Sequence, residues 1–351
     1  MIDAAAATRV AVIIVNYRTP DLALAAARAL MPDRADNPGL RVVIVDGGSG
    51  DTSAEVIRAG VADPALSDWV ELLALPINGG FGWANNQAIQ RLSQSVDAPD
   101  YFHVLNPDTE VEPGAVTTLR KVLDSHPRCA AVGSLLLNAD GSESGSAFGN
   151  MSPLRELVRG SRVNALGRML GVKPMLVTEP GEADWVTGAS TMFRATALKQ
   201  AGLFDTGFFL YFEEVELMFR LVKAGWTIRH EPASRVRHIG GASTGVNYER
   251  KAAKTLPPLP RYWYEARRRM YARTHGRTGA MLANGFWVAG HGLYLVRRAV
   301  GLGGSHLPVA NEARDLLRHG MLPSKADLQP HVARWDDPID QPPAWMAKPG
   351  A

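Results

Sequence analysis

Cysteine is almost missing from this chain of 351 residues: Cys129 stands alone. One thiol excludes an intrachain disulfide and any zinc cluster built on cysteines, and it fits a reducing compartment. Long apolar runs are missing as well. Ala280 to Val296 falls short of the roughly 20 residues a spanning helix needs, and Asn284, His291 and three glycines interrupt it. Met1 to Tyr17 holds no basic segment and no cleavage site ahead of its apolar run, so no signal peptide is expected and a cytoplasmic chain is. Charge of one sign is missing overall, with 38 Lys+Arg against 35 Asp+Glu and a net charge of +3. That balance conceals an asymmetry. Residues 1–250 hold 23 basic and 28 acidic side chains, and residues 251–320 hold 12 and 3. A basic block suits nucleic acid or an anionic membrane surface, and the apolar residues around it favour the membrane.

What is present is a regular alternation. Val10–Val15 is a continuous β-branched run, as a strand buried on both faces requires. Asp21 is placed to cap the helix after it. Further strands are expected at 41–45, 70–75, 101–105 and 130–137, with helices at 83–92 and 113–125 between them. Strands separated by helices predict a mostly parallel, doubly wound α/β sheet. Ligands bind beyond the carboxyl ends of such strands. Those ends carry Asn16-Tyr17, Asp46-Gly47-Gly48-Ser49-Gly50-Asp51, Asn78-Gly79-Gly80-Phe81-Gly82 and Asn106-Pro107-Asp108. Downstream, three carboxylates, Glu213, Glu214 and Glu216, follow the aromatic run Phe208–Phe212 at the start of a helix. Leu217, Met218 and Leu221 continue the stripe of Glu214, so that carboxylate is expected at the floor of a cleft. An apolar wall raises a carboxyl pKa toward neutrality and makes a general base. Glu216 is placed to pair with Arg220 at i,i+4.

The blocks VIIVNY, VIVDGGSGD, NGGFGWANN, LNPDTEV, WVTGA, GLFDTGFFLYFEEVELMFRLVKAGW and VRHIGGAS, in this order, resemble the family 2 glycosyltransferases, in particular their bacterial rhamnosyltransferase-like branch. The resemblance covers about residues 8–245. It implies a GT-A fold, Rossmann-like, with a mostly parallel central sheet and helices on both faces, and sugar transfer with inversion.

The resemblance also implies roles. Tyr17 would stack on the base of the nucleotide-sugar, and Asp46 would accept from base or ribose. Taken alone, the first is equally a strand-edge tyrosine and the second a turn-forming Asx residue. Gly47 stands where the family often has Asp or Asn. Asn78, Gly79 and Asn86 belong to a glycine loop whose amides approach the nucleotide or diphosphate. Asp108 corresponds to the metal-binding acid, with Asn106 in place of the first acid of the family's pair. His238 resembles a histidine that contacts metal or diphosphate. A divalent ion, Mg2+ or Mn2+, is implied. Glu214 would be the base, although the family usually has aspartate there. Glu213 would touch the acceptor or tune Glu214. Trp185 and Gly188 would lie beside donor sugar and acceptor, Trp185 equally being core.

Three units are expected: a GT-A nucleotide-sugar domain over 1–250, a basic and aromatic helical C-terminal extension over 251–320, and a Pro/Asp-rich, loosely ordered tail over 321–351. Tyr262, Trp263, Tyr264, Phe286, Trp287, Tyr294 and Arg267–Arg269 are expected to meet an anionic membrane or a lipid diphosphate; packing on the domain or dimerisation is the alternative. The implied reaction moves a sugar, with L-rhamnose from dTDP-rhamnose the leading choice, to a glycan or polyprenyl-diphosphate-linked acceptor at the inner face of the plasma membrane. A UDP-hexose or UDP-hexosamine transferase is the alternative within the fold, and a non-catalytic glycan- or nucleotide-binding module the alternative outside catalysis. Nucleic acid is not an expected partner.

Overall fold

The computed structural model describes residues 8–238, 255–302 and 308–346. The alternation expected from sequence is present. In order come β1 (Val10–Asn16), α1 (Pro20–Ala29), α2 (Met31–Asp36), β2 (Leu40–Asp46), α3 (Ser53–Val61), β3 (Val70–Ala74), α4 (Phe81–Ser93) and β4 (Tyr101–Leu105). Next are β5 (Thr109–Val111), α5 (Ala115–Ser125) and β6 (Cys129–Leu137). A less regular stretch holds β7 (Ala147–Phe148), α6 (Pro153–Ser161), α7 (Asn164–Met169), β8 (Leu176–Val177), β9 (Gly181–Ala183) and β10 (Trp185–Val186). Then follow β11 (Ser190–Arg194), α8 (Ala195–Ala201), α9 (Glu213–Lys223) and β12 (Thr227–His238). The extension supplies α10 (Arg261–Ala299), α11 (Glu312–His319) and α12 (Lys325–Leu328).

The central sheet runs β3-β2-β1-β4-β11-β6-β12-β5, with β9 also on β12. The first four strands pair in parallel, and so do β6 and β12. β11 enters antiparallel between β4 and β6, so the sheet is mixed and mostly parallel. Period-two alternation divides β1 between two cores. Val10, Val12 and Ile14 pack with Leu24 of α1, Ile57 of α3 and Leu119 of α5. Ala11 and Ile13 face the opposite layer, with Trp83 and Ile89 of α4 and Leu217, Met218 and Leu221 of α9. Three helix starts differ from expectation, α4 beginning at Phe81 rather than at Trp83. α1 begins at Pro20, so Asp21 sits in its first turn rather than capping it. The N–H and hydroxyl of Thr19 both donate to Asn16 Oδ1. Gly114, at φ 84°, turns the chain into α5, which begins at Ala115, two residues later than the expected Pro113.

The extension corrects two expectations. Most of the side chains assigned to a membrane surface point inward: Tyr264, Trp287, Tyr294, Arg267 and Arg269 are buried. Arg267 pairs with Glu156 of α6 at 2.9 Å, and Tyr271 donates its hydroxyl to the same carboxylate at 2.8 Å. Burial pushes the Glu156 pKa up, but the charges of Arg159 and Arg267 outweigh it and hold it at about 2. Arg268 is taken by Asp327 at 2.9 Å. These arginines hold the extension to itself and to the α/β layers, because a buried guanidinium needs a carboxylate. The tail after residue 321 is also built in rather than loose. Trp83 donates to the Gln341 carbonyl at 2.7 Å, and Gln90 to that of Arg334 at 2.8 Å. Residues 239–254 lie outside the described residues. They hold the expected boundary near 250 and the end of the last motif block, Ile239 to Ser243.

Candidate active site

Parallel register brings the strand ends level. Asn16 of β1 lies opposite Asp46 of β2, and its amide donates to Asp46 Oδ1 at 2.8 Å. Ser49 donates its hydroxyl to the same oxygen at 2.6 Å. Asp46 thus fixes the turn that presents Gly47 to the cleft, as the Asx reading expects. Tyr17, next in chain, lines the cleft with Arg18 against its ring at 5.1 Å. The cleft holds about 440 Å³.

The glycine loop contributes unequally. Asn78 lines the cleft and accepts the Gly80 N–H at 3.1 Å. Gly80 has φ 91°, and a Cβ there would sit 2.1 Å from the Phe209 carbonyl oxygen. Only glycine allows the loop to lie against the aromatic segment this closely. Gly79 backs onto Trp83, and its carbonyl accepts from Trp345 at 2.9 Å. Asn86 is not brought to the cleft. It is fully buried, donating to the Phe204 carbonyl at 2.8 Å and accepting the Phe204 N–H at 3.0 Å. Trp185 is likewise held elsewhere, stacked on Phe148 at 4.1 Å and donating to the Gly149 carbonyl. Gly188 does line the cleft, facing the Phe81 ring and the Cβ of Glu214.

Asp108 and His238 are far apart in sequence and adjacent in space because β12 pairs antiparallel with β5, setting His238 opposite Thr109. His238 Nε2 stands 3.2 Å from Asp108 Oδ1 and 3.4 Å from the Asn106 amide nitrogen. Asn106 and His238 line the cleft. Glu110, on the outward side of β5, pairs with Arg237 at the surface. No cluster of three His, Cys, Asp or Glu side chains able to hold a metal occurs among the described residues.

Glu213 and Glu214 open α9 at the other side of the cleft. Two successive left-handed residues, Tyr211 (φ 74°) and Phe212 (φ 65°), turn the chain into the helix. Such conformations persist only where the surroundings over-determine them. Leu217, Met218 and Leu221 are fully buried, as the stripe predicts. One oxygen of each glutamate, Oε2, is buried without a hydrogen-bond partner. Burial raises the Glu214 pKa to about 6. Burial, and then the Glu214 charge beside it, push Glu213 well above the ordinary carboxylate range. Glu216 is the structural ion pair expected, bonded to Arg220 at 2.8 Å and also to Arg273 at 3.2 Å.

Sequence reasoning missed what braces this loop. Asp205 is fully buried and takes Arg269 at 2.7 Å and Arg273 at 3.2 Å, both from α10. Tyr262, at the start of α10, lines the cleft, stacks on Tyr211 at 5.9 Å and meets Phe209 edge-on at 5.5 Å. The available signal was the i,i+4 spacing of Arg269 and Arg273, which matches two acids on a facing element.

Residues 11–166 match the model of glycosyl transferase family 2. Over 190 residues the chain is 33% identical to the N-acetylglucosaminyl-diphospho-decaprenol L-rhamnosyltransferase of Mycobacterium tuberculosis, covering 50% of this chain and 61% of that protein. Over 168 residues it is 25% identical to the rhamnosyltransferase WbbL of Escherichia coli, covering 45% of this chain and 60% of that protein. It therefore spans less than two thirds of either relative. A mannosyltransferase from Pyrobaculum calidifontis, solved with GDP-Man and Mn2+, superposes with a TM-score of 0.51 at 15% identity, over 89% of this chain and 79% of that one. GalNAc-T7, solved with UDP, GalNAc and Mn2+, gives 0.52 at 15% identity, over 91% of this chain and 60% of that one. Those two share the fold. Motif order, family model and relatives agree that this chain is similar to rhamnosyltransferases, that its residues 11–166 match glycosyl transferase family 2, and that it carries a GT-A-like fold with a helical C-terminal extension.

Proposed function

We propose that the chain is an inverting glycosyltransferase that moves L-rhamnose from dTDP-rhamnose to a polyprenyl-diphosphate-linked sugar, in cell-surface polysaccharide assembly at the cytoplasmic face of the membrane. The observation that carries this reading is the cleft itself. Tyr17, the glycine loop, Asn106 and His238 with Asp108 behind them, and a desolvated Glu214 converge on one space sized for a nucleotide-sugar. The curated relatives supply the sugar and the acceptor class.

Tyr17 offers a ring to the base, and Asp46, bonded to Asn16 and Ser49, holds the turn that brings Gly47 to the nucleotide. The acceptor hydroxyl lies against Glu214, which takes its proton as the oxygen bonds to the anomeric carbon. The carbon–oxygen bond to the diphosphate breaks on the opposite face, and the nucleoside diphosphate leaves with inversion. Burial and the neighbouring Glu214 charge push the Glu213 carboxyl well above the ordinary range, which favours Glu214 as the ionised member of the pair. The Asp108 carboxylate and His238 imidazole, 3.2 Å apart, are the side chains that would hold a hard divalent ion. When bound, that ion neutralises charge on the leaving diphosphate. Both solved GT-A structures contain Mn2+, which supports Mg2+ or Mn2+ here.

The test is a donor screen with Mg2+ or Mn2+, reading release of nucleoside diphosphate with a lipid-linked N-acetylglucosamine acceptor. dTDP-rhamnose should be consumed. Asp108→Ala should abolish turnover and remove metal-dependent donor binding. Turnover of a UDP-hexose in its place overturns the sugar assignment, and full activity under chelator overturns the ion.

A further inference from the structure

Beyond the kink at Gly276, the second arm of α10 buries one side and leaves the other bare. Ala280, Ala283, Asn284, Trp287, Gly290 and Tyr294 are buried against the rest of the chain. Met281, Leu282, Val288, Leu293, Val296 and Val300 are exposed, the last two by 64% and 67%. Gly285 and Ala289 lie on the same bare side. At 3.6 residues per turn the exposed set falls in one arc of roughly 140°, opposite the buried set. No charged side chain lies within that arc. Thr274 to Leu302 contains no Asp or Glu, and its only charged residues are Arg277 at the start and Arg297 and Arg298 at the end. Contiguous apolar surface of this kind marks an interaction site.

We infer that this face lies flat on an anionic lipid bilayer, its apolar side chains among the acyl chains and its terminal arginines at the headgroups. The inference rests on the lipid-linked acceptor proposed above for its purpose, though not on the identity of the sugar. Two observations select lipid over other occupants. The opposite side of the arm is buried against the chain, so only this face is free to meet a bilayer, and it would meet it lying flat. A second copy of the chain would bring arginine to arginine in either helix direction, with no carboxylate in this stretch to receive them. Anionic headgroups would receive Arg277, at the border of the arc, and the exposed Arg298, while Arg297 is held by the carbonyls of Ser161 and Leu302. The same helix carries Tyr262 into the cleft at its other end, so one element links membrane face and active site.

Flotation with vesicles of phosphatidylglycerol and phosphatidylcholine tests this on the full chain. The chain should float with these vesicles at low salt, release as salt rises, and remain unbound with phosphatidylcholine alone. The triple variant Met281→Glu, Val288→Glu and Val296→Glu should bind at least tenfold less while keeping its melting temperature and donor affinity. A second readout does not depend on that variant folding. Val296→Cys, labelled with an environment-sensitive dye, should shift blue on the anionic vesicles, and Val96→Cys should not; the native Cys129 is buried. Failure of the full chain to float, equal flotation of the triple variant, or no shift at position 296 overturns the inference. So does a dimer in solution that the triple variant splits, which assigns the face to a second copy. Activity separates the two proposals. The triple variant should still glycosylate a short-chain, water-soluble acceptor, and flotation without any transfer by the wild type would sink the function and leave the face standing.

Discussion

Glu214→Gln should lower the rate of transfer and raise the stability of the fold. The side chain keeps its shape but cannot accept the acceptor's proton, so kcat should fall roughly 10²–10⁴-fold with donor affinity nearly unchanged. The stability effect follows from burial. The Glu214 pKa rises from 4.5 to about 6 on folding. The folded state therefore binds the proton more tightly than the unfolded one. That contribution favours the fold below about pH 4.5 and is lost as pH climbs through 6, leaving a penalty of about 2 kcal/mol at pH 8. Glutamine carries no charge to desolvate and removes it. An unfolding entropy of about 2 cal/mol/K per residue converts the relief to an increase in Tm of about 3 °C. Calorimetry at pH 8 and pH 4 checks it, since the gain should vanish at the lower pH. The wild-type rate should itself rise through about pH 6 as the base ionises. A variant that loses activity but melts lower at pH 8 would show that Glu214 is not a desolvated carboxylate. A variant with normal turnover, beside a Glu213→Gln chain that has lost it, would move the base to Glu213.

Asp205→Asn leaves Arg269 and Arg273 without their shared carboxylate, and chemical denaturation should show a loss of about 3–5 kcal/mol, as for other broken buried pairs. Because the same loop leads into Glu213 and Glu214, kcat should fall with it, and wild-type stability in this variant would refute the bracing role. Tyr262→Ala should raise KM several-fold while Tm changes little, measured by steady-state kinetics and thermal melting. An unchanged KM would place Tyr262 outside the substrate's path.

The sequence showed the α/β alternation, the strand-end clustering and the Glu214 stripe clearly, because each is a local pattern read within a dozen residues. Burial on both faces requires β1 to be a continuous apolar run, and Val10–Val15 is one. The pairing of Asp108 with His238 was accessible only through family resemblance, since it depends on β5 and β12 meeting across the sheet. Asn86 shows the limit of motif reasoning. It lies in a block that the resemblance assigned to ligand binding, yet its amide matches the Phe204 backbone. The arginines of α10 show another. Composition registers a positive charge and not the carboxylate facing it, so Arg267, Arg268 and Arg269 suggested a membrane surface when Glu156, Asp327 and Asp205 hold them. The apolar face of the second arm was hidden for the opposite reason: glycines and alanines dilute its hydropathy, and only helix phase collects its larger side chains on one side.

The bond from Trp345 to the Gly79 carbonyl joins residues 266 apart in the chain. A ribosome adding about 5–20 residues per second makes the glycine loop roughly 10–50 s before its partner exists. For that interval Trp83 and the loop lack the cover that Gln341 and Trp345 give them. The mature cleft is thus timed by translation: the α/β layers assemble first, and the glycine loop is latched only after the extension has threaded back across α4.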